Sequence, residues 1–183
     1  MIDGKLYRGA SGNAGEFGPV TADPHGPVCV CNRVGCLQAV AGVDRIVELA
    51  LRDKALIADH RLRGTRRSIR RDFTNIARAA VAGDQRALAL IKQSADHLAA
   101  AVVSLHNVLD LDQILLAGPG FSIVGPIYAD TVADHLTRGS WARRRQPVRV
   151  ALSTMGNDVA ALGAASLVLH NEVTSNAMGR DAS

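Results

Sequence analysis

The sequence predicts an α/β layer architecture. Short apolar runs that read as strands alternate with longer stretches whose apolar residues recur at helical spacing. Glycines and prolines punctuate the boundaries between them. A third observation adds a metal-binding loop. All three cysteines fall within Cys29-Val30-Cys31-Asn32-Arg33-Val34-Gly35-Cys36. Cys29 and Cys31 lie on the same strand face, too close for a relaxed disulfide with each other. Thiolates clustered this way can converge on one zinc ion, and a structural zinc site needs four ligands. His25, in Asp23-Pro24-His25-Gly26-Pro27, is the nearest candidate for the fourth. The competing readings are incidental buried thiols and a solvated turn histidine.

Composition sets the outer limits. A chain of 183 residues is long enough for one domain with a real core. Aromatic residues make up only 3%, so that core must be built from Ala, Val, Leu and Ile. No apolar run approaches a membrane span, and Met1-Ile2-Asp3-Gly4-Lys5 lacks secretory signal architecture. An odd cysteine count argues against a disulfide scaffold. Together these features imply a reducing, cytoplasmic setting without membrane contact. The net charge of +4 does not by itself establish a nucleic-acid partner.

Element by element, Ile2 to Tyr7 reads as a hairpin turning at Asp3-Gly4, with almost no first strand. The expectation is a chain that begins inside a sheet whose earlier strands are missing. Gly9 to Gly15 is rich in small residues that allow close backbone approach. Cys36 to Leu51 has helical spacing, with Leu37, Val40, Val43, Ile46, Val47 and Ala50 facing inward. An arginine cluster follows: Arg61, Arg63, Arg66, Arg67, Arg70 and Arg71. Phe73 to Ala82 predicts a helix closed by Gly83. Asp84 then fits the N-cap of a second helix running to about Asn107, with Leu88, Ile91, Ala95, Leu98, Val102 and Leu105 at helical intervals. Gln113 to Ala117 reads as a buried strand, broken by Gly118-Pro119-Gly120. A helix over Val124 to Leu136, a strand over Pro147 to Leu152 and a helix over Asp158 to His170 complete the order. The polar tail from Glu172 is expected to fray.

The segment Gly9-Ala10-Ser11-Gly12-Asn13-Ala14-Gly15-Glu16-Phe17-Gly18, followed by the Cys-x-Cys-x4-Cys run, resembles the signature of the ROK family of repressors, open reading frames and sugar kinases. The resemblance continues through Asn107-Val108-Leu109-Asp110, Ile114-Leu115-Leu116-Ala117-Gly118 and Asp158-Val159-Ala160-Ala161-Leu162-Gly163-Ala164-Ala165. It implies an actin-like ATPase (ribonuclease H-like) fold with a ligand cleft between two lobes. It also implies that residues 1–170 form an incomplete, C-terminal lobe with a zinc-binding loop, and 171–183 a flexible tail. The first lobe, with its phosphate loop and catalytic aspartate, and any winged helix-turn-helix would precede Met1.

Departures from the family pattern refine this expectation. The family's Glu-x-Gly-His tetrad, which touches sugar and supplies a zinc ligand, reads Glu16-Phe17-Gly18-Pro19 here. Proline can neither ligate a metal nor donate a hydrogen bond. Asn32 stands where glycine is usual, a mild change because Asn tolerates left-handed backbone. Gln38 replaces a glutamate and can still hydrogen-bond a hydroxyl, without charge assistance. The resemblance therefore implies structural zinc on Cys29, Cys31 and Cys36 and sugar contacts from Glu16 and Gln38. His25, on the same loop, is the hypothesised replacement for the missing histidine, with water or no fourth ligand as the alternative. Glu16 could instead cap a backbone amide. Gly118 and Gly120 are candidate nucleotide-lining positions, or an ordinary turn. ATP binding and catalysis are not expected of this chain alone, because sugar phosphorylation needs a base and a phosphate clamp.

The leading expectation is the sugar-sensing, dimerising lobe of a ROK transcriptional regulator, binding a sugar or sugar phosphate. The alternative is the distal half of a ROK sugar kinase, inactive without its first lobe. A decayed product is the third reading. Neither the arginine cluster nor Arg143-Arg144-Arg145 resembles a groove-reading helix, so direct DNA contact is not expected. Cleft faces and sheet edges left without a neighbour predict a homo-oligomer.

Overall fold

A computed structural model describes residues 6–141 and 147–178, with the backbone alone at 157 and 169–178. The hairpin expected at Ile2 to Tyr7 and the basic group Arg143-Arg144-Arg145 lie wholly or mostly outside the described residues. The elements run α1 (Leu37–Ala41), α2 (Val43–Ala50), α3 (Lys54–His60), α4 (Ile69–Val81), α5 (Gln85–Leu109), β1 (Gln113–Leu116), α6 (Gly125–Gly139), β2 (Arg149–Leu152) and α7 (Val159–Met178). Single 3₁₀ turns at Pro119–Phe121 and Gly156–Asp158 follow the two strands.

Helix α5 is the spine, packed against α1, α2, α4 and α6. Asp84 caps it as predicted, its carboxylate accepting the amides of Arg86 at 2.9 Å and Ala87 at 3.2 Å. Its most buried stripe is Ala87, Ile91, Ser94, Ala95, Ala99 and Val102. The larger Leu88 and Leu98 sit only partly buried beside it. Alanine's small side chain lets neighbouring helices approach closely, so the seam runs through residues that a hydropathy pattern underweights. Ile76 and Ile91 are fully buried in the shared core, and each contributes about 1.5–3 kcal/mol by leaving water.

The strands pair in parallel, Ile114 opposite Val150 and Leu116 opposite Leu152. Alternation turns these four onto the helices. Leu115, on the other face, is 55% exposed. Thus one face of the sheet is packed, and the strands begin and end within two residues of their predicted bounds.

Four expectations are corrected. The single helix predicted over Cys36 to Leu51 is two, broken at Gly42, whose backbone is extended. A side chain there would lie 2.3 Å from the Gln38 carbonyl oxygen. The carbonyl of Ala41, freed by the break, accepts the buried Ser94 hydroxyl at 2.7 Å, and Ser94 also pairs with the Tyr128 hydroxyl at 2.7 Å. Helix α3 was not predicted. Its N-cap signal was legible: Asp53 accepts the amides of Ala55 and Leu56 at 2.8 and 3.1 Å. Helix α4 also starts four residues earlier than predicted, and α7 continues past His170 to Met178.

Candidate functional site

The cysteine loop is a knuckle built on backbone hydrogen bonds. Val28 and Val34 form an antiparallel bridge, as do Thr21 and Cys36. Between the first pair, the Cys29 amide donates to the Arg33 carbonyl at 2.7 Å and the Asn32 amide to Cys29 at 2.9 Å. Asn32 has φ 63°, the left-handed conformation that Asn accepts more readily than most residues. A second layer holds the knuckle down. The amides of Ala22 and Asp23 donate to the Gly35 carbonyl, and the Gly35 amide donates to Pro27.

This scaffold brings three sulfurs together. The Sγ atoms of Cys29, Cys31 and Cys36 lie within 4.8 Å of one another, and Cys31 and Cys36 are 3.4 Å apart. Such spacing suits thiolates that share one ion with Zn–S bonds of about 2.3 Å. His25 does not join them among the described residues. Its amide donates to the Asp23 carboxylate at 2.9 Å, and the residue lines a polar cleft of about 490 Å³ with Arg45, Glu48, Arg52 and His97.

The three thiols differ electrostatically. Cys31 is exposed, and the Arg33 guanidinium beside it, with further help from the Arg33 amide and the neighbouring thiols, brings its pKa down to about 6. Burial pushes the fully enclosed Cys36 up to about 11. Sequence reasoning passed over Arg33, although its place two residues after Cys31 was a signal of this interaction. Iodoacetamide is expected to label Cys31 of the metal-free chain before Cys29 and Cys36, with the rate falling as pH drops through about 6. Peptide mass spectrometry checks this, and faster labelling of Cys36 would contradict it.

Gln38 joins the knuckle to the glycine-rich segment. Its Nε2 donates to Cys29 Sγ at 3.0 Å, and its backbone amide donates to the Gly18 carbonyl at 3.0 Å. A Cβ on Gly18 would stand 2.8 Å from Gln38 Oε1, so the glycine makes room for this side chain. Phe17 packs against the cluster of Ala99, Val102, Val132 and Leu136 between α5 and α6. Glu16, immediately before it, is exposed. The segment is therefore anchored at Phe17, while Glu16 is open to a ligand.

Gly118 and Gly120 lie at the carboxyl end of β1, where ligands of parallel sheets characteristically bind. Gly118 has φ 110° and open space where a side chain would stand. The turn consequently requires glycine and presents bare backbone.

Comparison with known proteins identifies what the chain is similar to. The ROK family profile matches residues 1–171. N-acetylmannosamine kinase from Salmonella typhi is 34% identical over 169 residues, 91% of this chain and 51% of the relative. Glucokinase from Halalkalibacterium halodurans is 28% identical over 179 residues, 94% of this chain and 52% of the relative. The chain spans about half the length of the curated relatives it matches. Among solved structures, a ROK family glucokinase from Streptomyces griseus in complex with glucose and AMPPNP superposes with TM-score 0.75 at 24% identity, covering 91% of this chain and 55% of that one. A ROK family transcriptional regulator, a homologue of the E. coli MLC protein, superposes with TM-score 0.67 at 26% identity, covering 83% and 37%.

Proposed function

The chain belongs to the ROK family, and on that premise we propose that it is a sugar-recognising lobe that senses its ligand rather than phosphorylating it, as part of a transcriptional regulator. The observation that carries this reading is the placement of Gln38. One side chain touches both the cysteine knuckle and Gly18, two residues from Glu16. A sugar hydroxyl bound by Glu16 and Gln38 would therefore pull on the knuckle directly. Gln38 is neutral, so it supplies orientation without the charge that strengthens a carboxylate's hydrogen bond.

Structural zinc belongs to the same proposal. Cys29, Cys31 and Cys36 would hold it, and it would fix the knuckle against which Gln38 rests. Because His25 lines the polar cleft and does not group with the three sulfurs, His25→Ala is expected to keep the zinc content of the wild type, while Cys36→Ser loses the metal. Elemental analysis of the purified variants reads both. Loss of zinc in the His25 variant would restore His25 as the fourth ligand.

A second reading has its own support. The curated relatives described above are kinases, and the turn at Gly118 offers open backbone to a phosphate. On that reading the chain is the distal half of a sugar kinase. Calorimetry with glucose and N-acetylmannosamine, followed by a coupled assay with ATP, separates the two. Sugar binding without turnover is the expected result. Turnover by the chain alone would overturn the sensing proposal. Turnover only after addition of the amino-terminal half of a kinase relative would favour the second reading.

Self-association is proposed on the same footing. Leu115 on β1 and Leu162, Leu167 and Val168 on α7 are exposed. Such apolar surface and an unpaired strand edge favour association between copies. Sedimentation should show a concentration-dependent oligomer, and a monomer at every concentration would contradict it.

A further inference from the structure

The structure changes the meaning of the arginine cluster. All six arginines from Arg61 to Arg71 are exposed, and among the described residues none forms an ion pair. The one acid beside them, Asp72, is fully buried and turned inward. Its carboxylate accepts the amides of Arg63 at 3.2 Å and Gly64 at 3.0 Å, and the Ser68 hydroxyl at 2.7 Å. The loop is thereby folded back over the first turn of α4, and Arg71 donates to the Arg61 carbonyl at 3.4 Å. Residues 61–72 carry six arginines and one aspartate, a surplus of five against a net charge of +4 for the whole chain. The remaining residues therefore sum to −1, so this stretch accounts for the chain's net positive charge. Arg78, seven residues after Arg71 on α4, extends it along the helix.

We propose that this surface docks the phosphodiester backbone of a nucleic-acid duplex without reading its sequence. The chemistry of the patch selects that partner. Leu62 is buried and Ile69 half-buried, so the loop offers no apolar side chain to insert into a lipid surface. A protein partner is less favoured, because no apolar or aromatic side chain is exposed between Arg61 and Arg71 to form the desolvated core of an interface. No aromatic residue stands in that stretch for the bases of a single strand to stack on. Exposed guanidinium groups held on a pinned loop are what a row of phosphates requires. Backbone docking departs from the sequence expectation of no direct DNA contact, which rested on the lack of a groove-reading helix and on basic runs being usually solvated faces. The inference is independent of the sensing and kinase readings.

Fluorescence anisotropy of the full chain with a labelled duplex of random sequence, in DNA and RNA forms, tests the proposal across a salt series. Binding is expected to weaken steeply with salt. Arg66→Ser with Arg67→Ser should lower affinity about tenfold or more and reduce the log–log salt slope by about two. Arg66→Lys with Arg67→Lys keeps both charges and should keep the slope. Arg138→Ser with Arg149→Ser, an equal charge change elsewhere, should match the wild type. Binding to both duplexes supports a shared backbone mode, and binding to one identifies the source. Absence of duplex binding at low salt, an equal loss in the Arg138/Arg149 control, or binding to phosphatidylserine vesicles in place of the duplex would overturn it.

Discussion

Replacing Gly35 with alanine is expected to dismantle the cysteine knuckle and abolish zinc uptake. Gly35 has φ 69°, a conformation that costs an ordinary residue energy, and a Cβ there would lie 1.5 Å from the Asp23 carbonyl oxygen. That carbonyl cannot retreat freely. It accepts the Gly26 amide at 2.9 Å, and the Asp23 amide is itself bonded to the Gly35 carbonyl at 3.1 Å. Relief of the clash therefore breaks the layer that holds residues 21–36 together, and the three sulfurs lose their convergence. Strain and overpacking together cost about 3 kcal/mol, or roughly 6–12 °C in Tm for a chain of this size. Gly12→Ala supplies the comparison. Gly12 also has positive φ, 80°, but nothing lies within 4 Å of its Cβ position, so only about 1 kcal/mol is expected. Thermal melting and metal analysis of the two variants read the difference. Equal melting temperatures, or undiminished zinc uptake by the Gly35 variant, would refute this account.

The contrast between those glycines shows what a sequence can and cannot disclose. Both stand in loops beside small or polar residues, and no local pattern separates them. Only the return of Asp23 to the far side of the knuckle makes one indispensable. Long-period features were legible. Asp84 announced α5, and the apolar runs announced β1 and β2, because capping chemistry and burial act within a few residues. The cysteine cluster was legible for the same reason. The break at Gly42 was not, because it depends on Ser94, more than fifty residues away, satisfying the Ala41 carbonyl. Nor was the place of His25, which lies near Cys29 in sequence but lines the polar cleft, its amide bonded to the Asp23 carboxylate.

Gln38 illustrates a different limit. As a residue type it reads as a hydroxyl-binding amide that lacks a charge. In the fold its Nε2 bonds Cys29 Sγ, and its Oε1 borders Gly18. Its two polar ends thus connect the knuckle to the segment that carries Glu16. Residue chemistry suggested a sugar contact, and the fold adds a mechanical connection between that contact and the candidate metal centre.

Asp72→Ala is expected to be the most damaging substitution away from the cysteine loop. The carboxylate is fully buried, and its oxygens serve the Arg63 and Gly64 amides and the Ser68 hydroxyl. Alanine would leave the Arg63 and Gly64 amides without this acceptor, while the Ser68 hydroxyl keeps the Thr65 carbonyl at 2.9 Å. Each unsatisfied buried group costs about 1–3 kcal/mol, and water can reach part of this loop, so a loss of about 2 kcal/mol is expected. Asp72→Asn should recover only part of this loss, since one of its two terminal atoms is a donor facing donors. Asp44→Asn, at an exposed position on α2, should stay within about 0.5 kcal/mol of the wild type. Urea denaturation ranks the three. Trypsin supplies an independent readout, because it cleaves after arginine and the freed loop offers four such sites from Arg61 to Arg67. Rapid cleavage within that loop at temperatures where the rest of the alanine variant remains folded would show that Asp72 pins the arginine surface. Unchanged stability together with unchanged trypsin resistance would show that the loop holds its shape without the carboxylate. The duplex-docking proposal would then lose the rigid platform on which its arginines stand.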